Sequence, residues 1–458
     1  MTQKNNRPVS GACAAGCAVA EGEPRSAAVA TLGCKVNQCE GQSISELFEK
    51  AGYIIKPFSQ PADVYIINTC SVTAMAESKS RKLIHRAHLK NPDALIIITG
   101  CYSQRVGGEL LKLPGVKIVS GNAGKGRLIE LAEEYFKTGR SIQAVTDISA
   151  QTQYEELPLS RHDSRTRGYI KIQDGCGNYC AYCIIPYVRG PSRSRPLDDV
   201  IREGRRLAEM HYAELVLGGI QLSAYGRDLP GRPDLIDVIA GLSDIEGIKR
   251  IRLGSLEPLL IDEDFACRLS RFETLCPQFH LSLQSGSDSV LRRMNRKYDT
   301  KQYERAVACL RGYFDNPAIT TDIITGFPGE SGEEFEHTLA FMKKIGFASV
   351  HVFAYSRRAG TAADKLPGQI NPEVKKERSR ILIEQAENDA QRYRKSFDGK
   401  IRPVLFETYI SGMLRGLTPE HLEVSVPCGE NLAGRIMDVR LIETGGRLSG
   451  CLEGLDLG

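Results

Sequence analysis

The sequence contains no run approaching eighteen consecutive apolar residues, so no membrane-spanning helix is expected. A signal-peptide core is also missing. Lys4 and Arg7 are followed by GACAAGCAVA, too small and too polar in its surroundings for an export signal, and no hydrophobic stretch precedes Cys13 or Cys17 to suggest a lipoprotein. There is no strong charge of one sign. A net charge of +4 permits a polyanionic partner without demanding one, so any basic surface has to be local. In 458 residues, 41% hydrophobic and 25% charged content exclude a mostly disordered or fibrous chain, and the length predicts two or three domains. These absences point to a cytoplasmic protein without membrane partners.

Cysteine is plentiful, with fourteen residues, several in close groups that read as metal ligands in a reducing compartment rather than as disulfides. The most informative segment is DGCGNYCAYCIIPYVRGPSRSR. Cys176, Cys180 and Cys183 have C-x3-C-x2-C spacing in a loop after the predicted strand YIKIQ. Three thiolates from one loop can hold three irons of a [4Fe–4S] cube and leave the fourth open. The amino and carboxylate groups of S-adenosylmethionine (SAM) can chelate that open iron. A structural zinc site would want four protein ligands, usually in paired C-x2-C units, and no fourth ligand follows at suitable spacing.

Along the chain, residues 1–27 lack periodicity and read as a disordered extension. Residues 28–150 alternate short β-rich runs with helical stretches, the pattern of a parallel α/β domain. Three of those runs end in Cys34, Cys70 and Cys101, separated by 36 and 31 residues, about one strand–helix–strand repeat each. Ligands of an open α/β sheet bind beyond the strand carboxyl ends, so these cysteines are expected to face one site. Residues 151–167 form a polar linker. Residues 168–371 carry six βα-type units, predicting a partial (β/α)6 barrel with its chemistry at the strand C-termini. A connecting helix is expected over 372–397 and a small all-β domain over 398–458.

C-x3-C-x-aromatic-C, with Tyr182 as the aromatic, resembles the radical SAM superfamily signature. The resemblance implies that Tyr182 lies near the SAM adenine and that Gly218 and Gly219 of LVLGGIQ approach its amino group. It also places Ser255 and Glu257 of RLGSLEP, Gln284 and Ser285 of LSLQSGSD, and Gly326 of DIITGFPGE at strand ends facing the cofactor. Over residues 28–458 the order of parts resembles the MiaB-like methylthiotransferases: a three-cysteine α/β domain, a radical SAM barrel and a small TRAM-type β domain. That resemblance implies a second [4Fe–4S] cluster on Cys34 (LGCKVNQ), Cys70 (INTCSVT) and Cys101 (TGCYSQR). Two [4Fe–4S] clusters and SAM are therefore the implied cofactors, with an electron-donor protein as a further partner.

LGCKVNQ, CIIPYVRGPSRSR and YSRRAGTAA most resemble the MtaB branch, whose members methylthiolate N6-threonylcarbamoyladenosine at position 37 of tRNA. Three alternatives stay open: methylthiolation of isopentenyladenosine as by MiaB, methylthiolation of a ribosomal-protein aspartate as by RimO, and a non-catalytic iron–sulfur RNA-binding protein. Arg189, Arg193 and Arg195 after Cys183, and Arg357 and Arg358 after the last barrel strand, are the expected phosphate contacts for a tRNA substrate. The last domain is a weaker RNA contact, with six Lys or Arg against eight Asp or Glu from Lys400 onward. Cys39 offers a second thiol near Cys34, but the helix it starts in carries it away from the strand end, so Cys34 is preferred.

Overall fold

The runs VYIINT and LIIITG show no polar alternation, the pattern of strands covered on both faces. A computed structural model describing residues 24–157, 159 and 166–453 places them at the centre of a parallel sheet. Its strands are β1 (Ser26–Thr31), β2 (Ile54–Ile55), β3 (Val64–Thr69), β4 (Leu95–Gly100), β5 (Val116–Ser120) and β6 (Ile142–Ala144), in the spatial order β2-β1-β3-β4-β5-β6. The connecting helices are α1 (Lys35–Lys50), α2 (Ala74–Lys90), α3 (Cys101–Val106) and α4 (Leu128–Thr138). Ile44 and Phe48 of α1 pack with Leu128 and Leu131 on one face, and Ile84 and Ala87 of α2 pack with Tyr102 on the other. β1 begins inside the segment read as an extension. Ser26 is anchored there because its backbone N–H and hydroxyl both donate to Asp63 Oδ2 at 2.7 Å. Cys13 and Cys17 lie outside the described residues.

The second part contains β7 (Arg167–Lys171), β8 (Gln173–Asp174), β9 (Arg193–Ser194), β10 (Glu214–Gly218), β11 (Arg250–Leu253), β12 (Gln278–His280), β13 (Ala318–Thr325) and β14 (Ser349–Ala354). β7, β10 and β11 form one parallel sheet, and β12, β13 and β14 another. Bridges at Ile251–Leu275 and Leu256–Leu281 join the two into six parallel strands, the expected partial barrel. Helices α5 (Ile185–Arg189), α6 (Leu197–Glu209), α7 (Leu235–Ser243), α8 (Glu263–Leu269), α9 (Asp288–Arg293), α10 (Thr300–Tyr313) and α11 (Gly332–Ile345) accompany it. Reciprocal capping boxes at Asp299/Gln302 and Ser331/Glu334 start α10 and α11, satisfying first-turn N–H groups that have no helical partner. The short strands β8 and β9 pair antiparallel and close the neck of the loop that carries Cys176, Cys180 and Cys183.

Helix α12 (Pro372–Lys395) buries Leu382, Ala386 and Ala390 against the barrel, while Ile383, one position off that stripe, is exposed. β15 (Ile401–Ile410), β16 (Met413–Leu417), β17 (Glu423–Pro427), β18 (Ile436–Thr444) and β19 (Arg447–Leu452) then close a small barrel in the order β15-β16-β17-β19-β18. This barrel docks on the larger one through buried arginines of β11. Arg250 donates to the Leu417 carbonyl at 3.0 Å and Arg252 to the Pro419 carbonyl at 2.8 Å.

Candidate active site

The strands that carry Cys34, Cys70 and Cys101 are neighbours in the sheet, in the order β1-β3-β4. Cys70 directly follows β3, Cys101 opens α3 directly after β4, and Cys34 precedes α1. The chain reaches this arrangement through Gly33, whose φ is +102°. A Cβ there would sit 2.8 Å from Cys70 Sγ, so only glycine lets the Cys34 loop pass so close to Cys70. Asn122 Nδ2 donates to Cys101 Sγ at 3.4 Å. Burial pushes the Cys70 thiol up to about 11, a proton that metal binding would have to displace. Cys39 lies within α1 and is turned away, lining a cavity with Lys35, Gln38, Arg167 and Tyr169.

A buried network of charge joins this triplet to the other. Arg189 is 0% exposed. It donates to Glu40 at 3.0 and 3.1 Å, to Asp174 at 2.8 Å and to Asn37 at 2.5 Å. Lys171 reaches Glu40 and Asp174, each at 2.7 Å, and Lys125 reaches Glu40 at 3.1 Å. Asn37 and Glu40 follow Cys34 on α1, Asp174 precedes Cys176, and Arg189 follows Cys183, so one network grips the roots of both triplets. With Arg193 at 3.8 Å from Asp174, four buried cations face two anions. Burial works against the Arg189 charge, but Asp174, Glu40, Cys101 and Cys34 hold it firmly protonated. Its Nε is buried with no hydrogen-bond partner among the described residues. An uncompensated buried charge is costly, and thiolates or an anionic cluster at Cys34, Cys70 and Cys101 would balance it.

Cys176, Cys180 and Cys183 lie in the loop above the barrel strands. Burial pushes the Cys176 thiol up to about 11 and the Cys183 thiol to about 12. Asn178 N donates to Cys176 Sγ at 3.5 Å, and Arg296 Nη1 donates to Cys180 Sγ at 3.2 Å. Arg296 Nη2 pairs with Glu257 at 2.7 Å, and the other oxygen of Glu257 accepts from Asn178 at 3.3 Å. Each triplet offers three thiols, the set that binds three irons of a [4Fe–4S] cube and leaves one iron open, whereas a structural zinc ion takes four protein ligands. The donor sets therefore fit iron–sulfur clusters.

The strand-end residues expected near SAM divide into two groups. Gly218 and Gly219 end β10 tightly against Tyr169 and Gln173, and Gln173 Oε1 accepts the N–H groups of Ile220 and Gln221 at 2.9 and 2.7 Å. Glu257 stands beside the cysteine loop as described, Ser255 is exposed, and Gln284 takes a left-handed φ of +71°. Tyr182 packs on Ala181, Met294, Phe327 and Tyr355, where burial pushes its phenol well above the ordinary range. Two residues turn elsewhere. Ser285 is fully buried, with its hydroxyl 3.2 Å from Thr338 of α11, because the reversal at Gln284 rotates it outward. Gly326 lies against α12, where a Cβ would meet the Lys375 side chain at 2.2 Å.

The arginines expected to grip phosphate are corrected more sharply. Arg189, Arg193, Arg195 and Arg358 are buried, and their guanidinium groups serve contacts between parts of the chain. Arg193 donates to the Arg189 carbonyl at 2.8 Å, and Arg195 pairs with Glu156 and Glu203. Arg358 donates to the Val72 carbonyl at 3.1 Å and pairs with Glu77 at 3.3 Å, tying the end of β14 to the loop after Cys70. Only Arg357 of the five is exposed, with Asp364 at 2.5 Å. The rim of the cysteine loop instead presents Tyr179 and Tyr187, both exposed, with ring centroids 5.6 Å apart. Sequence reasoning missed Arg296, Glu40, Lys125 and Lys171. None falls in a motif, and only the folded chain brings them to the cysteines.

Residues 170–342 match the Radical SAM superfamily, and residues 26–121 match the Uncharacterized protein family UPF0004. The chain is 37% identical over 421 residues to threonylcarbamoyladenosine tRNA methylthiotransferase MtaB of Bacillus subtilis, covering 91% of this chain and 93% of the relative. MtaB of Thermotoga maritima is 39% identical over 390 residues, covering 85% and 88%. The tRNA-2-methylthio-N(6)-dimethylallyladenosine synthase of Clostridium tetani is 33% identical over 435 residues, covering 93% and 95%. Among solved structures, the radical SAM methyltransferase TsrM from Kitasatospora setae shares the fold, with a TM-score of 0.56 at 13% identity, covering 86% of this chain and 80% of that one.

Proposed function

The chain belongs to the radical SAM methylthiotransferases, and from that premise we propose that it inserts a methylthio group at C2 of N6-threonylcarbamoyladenosine at position 37 of tRNA. The observation that carries this reading is the pair of cysteine triplets gripped by one buried charge network. Cys176, Cys180 and Cys183 would hold one [4Fe–4S] cluster, and Cys34, Cys70 and Cys101 would hold the other. When bound, the first supplies the electron that cleaves SAM, the second supplies the sulfur, and a further SAM supplies the methyl group.

The chain's own residues do the positioning. Arg296 and Asn178 fix the loop thiols and hold Glu257 beside them, on the side where the backbone of Gly218 and Gly219 admits SAM. Tyr182, Glu257 and Gln284 complete that side. Arg189 sets a buried cation beside the strand-end triplet, where its charge opposes the burial that raises those thiols, and Lys125 and Lys171 hold its partner Glu40. Tyr179 and Tyr187 offer the splayed bases of an anticodon loop a stacking surface at the cluster rim, with Arg357 as the exposed phosphate contact. Reduction requires an electron-donor protein. No described helix is long and apolar enough to cross a membrane, and a cytoplasmic location accords with a tRNA substrate.

Nucleoside mass spectrometry tests the proposal. Expressing the chain in a strain lacking its own methylthiotransferase should restore 2-methylthio-N6-threonylcarbamoyladenosine. Restoration of the dimethylallyl product instead, or of a modified ribosomal protein, would overturn it.

A further inference from the structure

We infer that His280, Asp322 and His351 form a binding site inside the barrel for the hydroxy-carboxylate substituent of the substrate base; this rests on the threonylcarbamoyl reading above. The three side chains come from the adjacent parallel strands β12, β13 and β14, with Asp322 and His351 directly paired in register. Asp322 Oδ1 lies 3.1 Å from His351 Nδ1, and Oδ2 lies 3.5 Å from His280 Nε2. The imidazole rings stack with centroids 6.2 Å apart, and Thr320 Oγ1 holds the remaining nitrogen of His280 at 3.1 Å.

His280 therefore uses both ring nitrogens inside the protein. The His351 side chain is 64% exposed and commits only Nδ1 to Asp322, which leaves Nε2 for a ligand. Burial tends to raise the Asp322 carboxyl, but its hydrogen bonds to His280 and His351 hold it far below the ordinary carboxylate range, and in return its bond raises the His351 imidazole. The Asp322 contact thus favours a proton on His351, whose free Nε2 faces a ligand anion, and Asp322 offers a carboxylate oxygen to a hydroxyl. Phe353, two residues beyond His351 on the same face of β14, is exposed, with its ring centroid 6.5 Å from His351, and offers an apolar wall for a flat base.

Position supports the assignment. Ser282 continues the His280 face about 6.6 Å further along the chain direction, and its carbonyl accepts from Arg296, the arginine that holds Cys180 Sγ. The group therefore sits one pleat below the residues at the loop cysteines. In threonylcarbamoyladenosine the substituent hangs from C6, which is separated from the reacting C2 by N1 alone, so a base whose C2 faces the SAM side carries its carboxylate and hydroxyl into this region. A dimethylallyl group has neither function and would leave both polar groups unpaired, the condition under which sites discriminate most strongly. Each imidazole has its own Asp322 oxygen, the pattern of two hydrogen bonds rather than of one ion drawing both nitrogens inward.

The test uses cluster-loaded enzyme and two versions of one tRNA, carrying either threonylcarbamoyladenosine or its carboxylate methyl ester. For His351→Gln the KM for the charged tRNA should rise tenfold or more, the cost of one charge-assisted hydrogen bond, with little change in kcat. The ester should show no such penalty, and His351→Lys should recover most of the loss. An equal effect of His351→Gln on both tRNAs, or no effect on either, overturns the site. So does one equivalent of divalent metal beyond the cluster iron that disappears in Asp322→Asn. Wild-type enzyme that leaves the charged tRNA unmodified overturns the substrate reading, and this inference with it.

Discussion

Cys176, Cys180 and Cys183 share one loop whose neck is closed by β8 and β9, whereas Cys34, Cys70 and Cys101 come from three loops that only the order of a parallel sheet brings together. The first triplet is local: its geometry depends on a few residues and on Arg296 reaching in from the barrel. The second is topological, because β1, β3 and β4 must be neighbours and Gly33 must pass beside Cys70 before any common site exists. A three-cysteine site can thus be written into a short stretch of chain, while the strand-end site is a property of a whole domain. Arg189 belongs to the first loop by sequence and to the second triplet by its side-chain partners, so the two sites share one support.

The largest predicted effects come from breaking either triplet separately. Alanine at Cys176, Cys180 or Cys183 should abolish formation of 5′-deoxyadenosine, followed by chromatography under dithionite. Alanine at Cys34, Cys70 or Cys101 should keep that cleavage within a few-fold and abolish methylthio insertion. Loss of cleavage from both sets would mean that the two sites share one function.

Arg189→Met tests the coupling. Removing the guanidinium strips the buried hydrogen bonds that Arg189 gives to Glu40, Asp174 and Asn37 and should cost about 3–5 kcal/mol. That loss is readable as a lower denaturation midpoint and as reduced iron retention at the strand-end triplet. Arg189→Lys should keep part of the stability because the charge remains, but it loses the fork that reaches Asn37 and Asp174 together. Smaller effects separate Arg358 from Arg357. Arg358→Ala should destabilise by about 1–3 kcal/mol through its lost contacts to Val72 and Glu77. Arg357→Ala should leave the melting temperature nearly unchanged and weaken tRNA binding several-fold, with a shallower salt dependence. The smallest change is expected for Cys39→Ser, which should cost about 1 kcal/mol and leave iron content intact, because Cys39 faces the cavity beside Tyr169 rather than the strand-end site.

The contrast between the triplets also explains what could be read from the amino-acid order. C-x3-C-x2-C spacing is a short-range pattern and shows directly. Cys34, Cys70 and Cys101 were legible through their positions at the ends of successive β-rich runs, since parallel α/β topology makes such ends converge. The arginines were misjudged because exposure is a tertiary property. RGPSRSR looks like a basic patch, yet Arg189, Arg193 and Arg195 each find buried acceptors or acids from distant segments. Ser285 and Gly326 show the same dependence, since a single left-handed residue at Gln284 and the packing of α12 decide where they face. His280, Asp322 and His351 carry no spacing motif at all, and strand register alone assembles them.

The most direct test of two separate but coupled sites is the iron and sulfide content of anaerobically reconstituted protein, read with its Mössbauer spectrum. Wild type should hold about eight irons per chain as two [4Fe–4S] clusters, and each triple alanine variant, at Cys34/Cys70/Cys101 or at Cys176/Cys180/Cys183, about four. Undiminished iron in either variant, or complete loss from both, would contradict the account.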